Sequence, residues 1–128
     1  MKERTKKDLI KYRIALSNET IGEVEELINL GYYRTSVNRI YYACFYALSA
    51  LLLKNKINAH SHSGVIRMFG LHFVKTKKIP AEMGGFYTDL FDKRLTGDYD
   101  DFIEFDKETV NDLYKTAKKF VSTVEDLI

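Results

Sequence analysis

The stretch NRIYYACFYALSALLL, from Asn38 to Leu53, decides the fold because it is apolar on most faces of a helix. Burial on several sides is typical of the central helix of a bundle. The stretch is too short and too rich in tyrosine to cross a bilayer, so we expect no membrane segment here. Its only charged side chain, Arg39, requires a partner, because an unpaired buried charge is unfavourable.

Sequence on both sides of this stretch predicts further helices. One proline and seven glycines interrupt the chain, and no window shows the alternation of a strand. We therefore predict an all-α fold, an antiparallel bundle of four long helices plus one short helix. The first three helices are predicted over Lys6–Leu30, Tyr33–Lys56 and His62–Lys75, the first with a kink at Ser17–Thr20 and a stop at Gly31. The fourth helix has Pro80 in its first turn and is closed by Gly97. The last helix is capped by Asp106 and runs to Ile128.

The composition sets limits on the kind of protein. A length of 128 residues with 45% hydrophobic residues is enough for one core, so residues 1–128 are predicted to form a single domain. The net charge of +2 provides no strong overall field for nucleic acid, and any such contact must be local. The single cysteine, Cys44, cannot form an internal disulfide and is expected to be buried, which fits a reducing cytoplasm.

Three sequence blocks, in this order, carry a resemblance to a known family: GYYRTSVNRIYYACFYALSALLL, HSGVIRMFGLHFVKTKKIP and LFDKRLTGDYDDF. Together they resemble the HEPN family, the higher eukaryote and prokaryote nucleotide-binding domains. The arginine followed by a Tyr-Tyr-Ala step is similar to the small stand-alone branch of bacteria and archaea. The resemblance covers nearly the whole chain, and it implies a helical bundle that commonly dimerises around a polar cleft.

The resemblance also implies an activity and a partner. Many HEPN proteins resemble metal-independent endoribonucleases, often as the toxin paired with a minimal nucleotidyltransferase antitoxin. Their motif is an arginine followed after four to six residues by a histidine, on the helix before the last. Here Arg94 is present, but Tyr99 stands where the histidine would be, so Arg94, Asp98 and Tyr99 are the candidate catalytic residues. Tyrosine is a poor base at neutral pH, whereas Arg94 can still grip phosphate, so the substitution affects catalysis more than binding.

A second set of candidates lies on the central helix. Arg39, Tyr42 and Tyr46 follow each other at three- and four-residue steps, and together with Arg94 they could bind phosphate in a polar groove. The alternative is purely structural ion pairing. In that interpretation Arg94 pairs with Asp98 or Asp101, and Arg39 pairs with Asp98, Asp100 or Asp101.

The histidines suggest two further sites, and we interpret neither as functional. Arg67 and His72 have the spacing of the nuclease motif, but they lie on the predicted third helix, so we take the match as accidental. If activity were found, His72 would be tested first. His60, His62 and His72 lack matching ligands, so no metal or cofactor is expected, and His62 is expected to bond locally at the start of the third helix.

Two classes of function remain open. The leading hypothesis is an RNA- or nucleotide-phosphate-binding component of a toxin–antitoxin or nucleotidyltransferase-paired system, metal-independent if it cleaves RNA. The alternative is a non-catalytic binding module or a structural homodimer. A homodimer is favoured by an excess of phenols over what a small core can satisfy. These tyrosines are Tyr32, Tyr33, Tyr41, Tyr42, Tyr46, Tyr87 and Tyr99.

Overall fold

The computed structural model describes residues 3–100 and 102–128, and every regular element within these ranges is helical. In chain order the elements are α1 Glu3–Gly22, α2 Val24–Asn29, α3 Tyr33–Lys54, α4 His62–Phe69, a π-helical turn Gly70–Val74, α5 Ala81–Tyr99 and α6 Lys107–Glu125. Four of these helices contain 19 to 22 residues each, and α4 contains 8. The predicted all-α fold of four long helices and one short helix is confirmed.

The helix α3 runs through the centre of the molecule, as its apolar sequence predicts. Half of its residues are buried, and they include Tyr41 and Cys44. On one side, Ser17 of α1 donates a hydrogen bond from Oγ to the carbonyl oxygen of Ala43 at 2.7 Å. Burial raises the pKa of the Cys44 thiol well above its usual range, in agreement with an inert core side chain. No helix within the described ranges is long and apolar enough to cross a membrane.

The predicted kink at Ser17–Thr20 is wrong. Ser17 and Thr20 are both buried within a continuous α1, and the helix is interrupted later, at Glu23 between α1 and α2. Gly22 precedes this break, and glycine disfavours a helix interior. The predicted stop at Gly31 is confirmed, because its φ of 84° is the left-handed conformation that glycine adopts without strain.

The predicted third helix consists of two parts. Ser61 caps α4 by accepting a hydrogen bond from the backbone N–H of Gly64 at 2.9 Å. After Phe69 the helix widens into the π-helical turn, where the N–H of Lys75 bonds to the carbonyl of Gly70 at 2.8 Å. The wider turn keeps Phe73 in the core together with Phe69.

The helix α5 continues past the glycine that was predicted to end it. Gly97 is buried inside the helix, and a Cβ atom there would lie 2.8 Å from Cε2 of Phe105. The ring of Phe105 therefore packs directly on α5, which ends at Tyr99. Pro80 precedes the helix as its N-cap, one residue earlier than predicted. The predicted cap of α6 is confirmed, since Asp106 accepts a hydrogen bond from the N–H of Thr109 at 2.7 Å.

Candidate functional site

Arg94 lies against aromatic rings between α3 and α5. Its side chain comes from the buried face of α5, and the residue is 8% exposed. The Cζ atom lies 4.9 Å from the ring centroid of Tyr41, 5.7 Å from that of Tyr42 and 5.5 Å from that of Phe91. A guanidinium over such rings is stabilised by the negative charge of their faces. The helices thus hold the guanidinium in one place.

One carboxylate neutralises part of this charge. Nη1 of Arg94 donates to Oδ2 of Asp98 at 3.3 Å, one helical turn further along α5. The predicted pair of Arg94 with Asp98 is therefore formed, within a single helix. Asp101, the other predicted partner, lies outside the described residues.

Arg39 approaches the same aromatic cluster from α3. Its Cζ atom lies 5.7 Å from the ring centroid of Tyr42, the same distance as that of Arg94. Among the described residues Arg39 forms no ion pair. The predicted pairing with Asp98 or Asp100 is therefore wrong, and the third predicted partner, Asp101, lies outside the described residues. The carboxylate of Asp100 instead accepts a hydrogen bond from the N–H of Phe102. Tyr42 is thus shared by two guanidinium groups.

The charge around Tyr42 is unbalanced. Two guanidinium groups share one ring, while the described residues supply a single carboxylate in ion-pair contact. The Nε atoms of Arg39 and Arg94 are both buried and have no hydrogen-bond acceptor within the described ranges. Leaving a buried donor unsatisfied costs about 1–3 kcal/mol. Nη2 of Arg94 and both Nη atoms of Arg39 also make no hydrogen bond among the described residues, but they are not buried. Phosphate oxygens that bind these Nη atoms would supply the missing negative charge.

Two other predicted residues have different surroundings. Tyr99 is the last residue of α5 and is 80% exposed. Tyr46 continues the row on α3, with its ring 5.9 Å from that of Tyr42, but it also lines a cavity of about 600 Å³ between α1 and α3. Arg94 does not line this cavity. The structure thus brings Arg94, Asp98, Arg39 and Tyr42 together, with Tyr46 at the edge and Tyr99 facing solvent.

His62 is also a member of this cluster, although its sequence pattern did not predict that. His62 begins α4, as predicted, but the predicted local bond is wrong, because Nδ1 lies 2.6 Å from the hydroxyl of Tyr41 on α3. The imidazole ring also lies 4.6 Å from the ring of Phe45 and 6.2 Å from that of Phe91. No spacing in the sequence could reveal this contact, since 21 residues separate the two partners.

Burial affects the titration of this cluster. It lowers the pKa of His62 below the ordinary 6.5, and the positive charge of Arg94 lowers it further. It also raises the pKa of Tyr41, against the opposing effect of a hydrogen bond from Tyr87. At neutral pH both His62 and Tyr41 are therefore uncharged, and the charges of the site belong to the arginines and Asp98.

The remaining histidines lie apart from this site. Arg67 and His72 are both exposed, the first on α4 and the second in the π-helical turn, and neither is on α5. The interpretation of this spacing as an accidental motif stays a prediction. His60 lines the cavity that Tyr46 borders. Within the described residues, no three His, Cys, Asp or Glu side chains cluster in a way that could hold a metal ion.

A family model and several known proteins are similar to this chain over nearly its whole length. The family model of the HEPN domain matches residues 10–127. A relative from Thermotoga maritima, named UPF0332 protein, is 40% identical over 96% of this chain and 93% of its own length. Two relatives from Methanocaldococcus jannaschii are named "Putative toxin". They are 36% and 33% identical, over 95% and 98% of this chain and over 82% and 95% of their own lengths.

Proposed function

The chain belongs to the HEPN domain family, and from this premise we propose that it is the RNA- or nucleotide-phosphate-binding component of a toxin–antitoxin type system. One observation carries the binding part of the proposal: Arg39 and Arg94 share the ring of Tyr42, and within the described ranges a single carboxylate pairs with these two guanidinium groups. Phosphate oxygens accept hydrogen bonds from a guanidinium group with added strength because both groups are charged. The toxin part is supported by the names of the two archaeal relatives.

The proposal includes two protein partners. A minimal nucleotidyltransferase antitoxin is the expected partner of a HEPN toxin, by the family resemblance. A second copy of the chain is the other, and exposed aromatic residues at and just after the end of α5 support it. Tyr99 is 80% exposed and Phe102 is 94% exposed, and such rings are enriched in protein interfaces. A cytoplasmic location is part of the same proposal.

Cleavage of RNA is the finer part of the proposal. In metal-independent cleavage the ribose 2′-oxygen attacks the adjacent phosphorus, the O2′–P bond forms and the P–O5′ bond breaks. The 2′-hydroxyl proton passes to a base, O5′ gains a proton, and a cation stabilises the phosphate charge. Arg94 is suited to the last role, with Asp98 fixing its orientation. Tyr99 could supply only the proton donor, because a phenol is a poor base at neutral pH.

A non-catalytic binding module is the second candidate, and the exposure of Tyr99 favours it. The residue that replaces the family's histidine ends α5 and is 80% exposed, and among the described residues no hydrogen bond joins it to Arg94. A site with two anion-binding groups and no placed base binds phosphate without cleaving it. Binding and cleavage therefore need separate measurements.

The test of binding compares variants in a titration with a labelled single-stranded RNA. Arg94→Ala and Arg39→Ala should each weaken binding by about tenfold to a hundredfold, since a hydrogen bond to a charged group contributes roughly 1.5–3 kcal/mol. Lys115→Ala is the matched control, because it removes one exposed positive charge on α6. Equal affinities of the wild type, Arg94→Ala and Lys115→Ala would refute the proposed site.

The test of cleavage uses a structured RNA with EDTA present. The wild type is compared with Arg94→Ala, Tyr99→Phe and His72→Ala. Loss of cleavage in the first two alone would support the site on α5, whereas loss in His72→Ala alone would move the activity to α4 and the π-helical turn. Binding of the RNA by the wild type without cleavage would select the non-catalytic module.

A further inference from the structure

His62 and Arg94 lie against the same two aromatic rings. The imidazole centroid is 5.6 Å from the ring of Tyr41 and 6.2 Å from that of Phe91. The Cζ atom of Arg94 is 4.9 Å and 5.5 Å from the same two rings. His62 comes from α4 and Arg94 from α5, so the packing of two helices on α3 places both groups in one cluster. Unlike Arg94, His62 is only half-buried.

A chain of hydroxyl groups determines which nitrogen of His62 carries the hydrogen. Tyr87 is fully buried, and its hydroxyl donates a hydrogen bond to the hydroxyl of Tyr41 at 3.3 Å. The hydrogen of Tyr41 is then free to point at Nδ1 of His62, 2.6 Å away. The opposite direction would leave the hydrogen of Tyr87 without an acceptor in the described part of the chain, and a buried unsatisfied donor is unfavourable. The chain therefore runs from Tyr87 through Tyr41 to Nδ1.

This direction fixes the tautomer of the imidazole. A neutral imidazole that accepts at Nδ1 carries its hydrogen at Nε2. Burial and the charge of Arg94 both lower the pKa of His62, which keeps the ring neutral at pH 7. Nε2 of His62 has no hydrogen-bond partner among the described residues, and this atom is not buried. The N–H at Nε2 is therefore open to solvent and to a ligand.

We propose that His62 is a third phosphate-binding residue of this site, which donates a hydrogen bond from Nε2 to an oxygen of the phosphate held by Arg94. The proposal rests on the proposed function, because it takes the same ligand. It assigns His62 the role of a neutral donor and not that of a base, since Nε2 already carries a hydrogen. Histidine thus takes part in the site from α4, although the motif position on α5 is occupied by Tyr99.

The first experiment measures the affinity of three His62 variants for a labelled oligouridylate. His62→Gln places an amide N–H near the position of Nε2, His62→Asn places one near Nδ1, and His62→Ala removes both. We expect His62→Ala and His62→Asn to bind about tenfold more weakly and His62→Gln to stay close to the wild type. His60→Ala, which removes an exposed histidine two residues away, is the matched control. Wild-type affinity of His62→Ala, or rescue by His62→Asn instead of His62→Gln, would overturn the proposal.

The second experiment needs no RNA. Nitrogen-15 NMR of the imidazole in the free wild-type protein should show hydrogen at Nε2 and an accepting Nδ1 at neutral pH, and Tyr41→Phe should remove the hydrogen-bond shift of Nδ1. A hydrogen at Nδ1 in the wild type would overturn the assignment whatever the RNA result. If the oligouridylate binds through Arg94 but not through His62, only the role of His62 fails. If wild type and Arg94→Ala both leave it unbound, the proposed function fails, and the phosphate role of His62 fails with it.

Discussion

The ring of Tyr41 combines three tasks in one side chain. It fills the core with no exposed surface, its face supports the guanidinium of Arg94, and its hydroxyl connects Tyr87 to His62. A phenylalanine at this position could pack and support the cation, but it could not connect the two polar partners. The hydroxyl is therefore the atom that connects the core to the candidate site.

Acidification is predicted to destabilise the fold through His62. In the unfolded chain His62 is protonated near its ordinary pKa of 6.5, whereas in the folded chain it is protonated only at a lower pH. Protonation of folded His62 would place a hydrogen on Nδ1, which accepts from Tyr41, and a positive charge beside Arg94. The contribution of His62 to stability is thus complete above pH 6.5 and is lost as the pH falls towards the folded-state pKa. Urea unfolding of the wild type and His62→Gln at several pH values measures it as a difference that shrinks on acidification.

The control for this measurement is His60→Gln, which changes an exposed histidine two residues earlier. Besides Tyr41, the titratable or charged groups that face His62 are Tyr42 on α3 and Arg94 on α5, and all three remain in each variant. A difference between the wild type and His62→Gln that stays constant between neutral and acidic pH would contradict the assignment.

Contacts between single residues can be predicted from the sequence where they depend on local spacing. Arg94 and Asp98 are four residues apart on one helix, and their contact follows from helical geometry. Arg39 and Tyr42 meet for the same reason, at three residues. The bond between Tyr41 and His62 depends instead on how α4 docks on α3, and neither residue carries a local signal of it. The functional role of each of these residues stays a prediction.

Single helices show a second kind of tertiary influence, at the glycines of α5. Gly97 is the position where Phe105 closes onto the helix, because a Cβ there would come within 2.8 Å of Cε2 and 3.3 Å of Cζ of that ring. Gly85, on the same helix, is exposed and has no atom within 4 Å of such a Cβ. One glycine is thus required by packing, and the other only lowers helix stability.

The two glycines predict opposite effects of the same substitution. Gly97→Ala should destabilise the protein, since displacing a packed ring costs about 1–3 kcal/mol and the gain in helix propensity is only about 1 kcal/mol. Gly85→Ala should stabilise it by about 0.5–1 kcal/mol. Urea unfolding of both variants measures the contrast, and in a Phe105→Leu background the effect of Gly97→Ala should become less unfavourable. Equal stability of the two alanine variants would show that the ring does not constrain α5.

The same contact explains why helix boundaries were predicted less well than helices. A glycine near a helix end resembles a stop signal, but Gly97 lies inside α5, where it leaves room for the ring of Phe105 from the following loop. The kink predicted at Ser17–Thr20 fails for a related reason, because Ser17 finds its acceptor on α3 and stays in a regular helix. The apolar stripes of α3 and α6 depend on periodicity alone, and these elements were predicted correctly apart from their last two or three residues.

For the whole molecule, the near balance of charge determines how RNA binding should respond to salt. The chain has 20 Lys and Arg against 18 Asp and Glu, so its overall field attracts nucleic acid weakly. Binding through Arg39 and Arg94 would then depend on the local release of counterions from the contacted phosphates. For single-stranded RNA each neutralised phosphate contributes a slope of about −0.7 to the logarithm of affinity against the logarithm of salt concentration.

The whole-molecule prediction is therefore a shallow salt dependence with a defined response to substitution. With one phosphate neutralised by each arginine, the slope should be about −1.4, and Arg94→Ala should bring it to about −0.7, while Lys115→Ala should leave it unchanged. Affinity for a labelled single-stranded RNA, measured over a series of salt concentrations, provides the three slopes. A steep slope that Arg94→Ala does not alter would contradict the prediction, because it would assign the phosphates to another basic surface, such as the exposed lysines Lys75, Lys77 and Lys78.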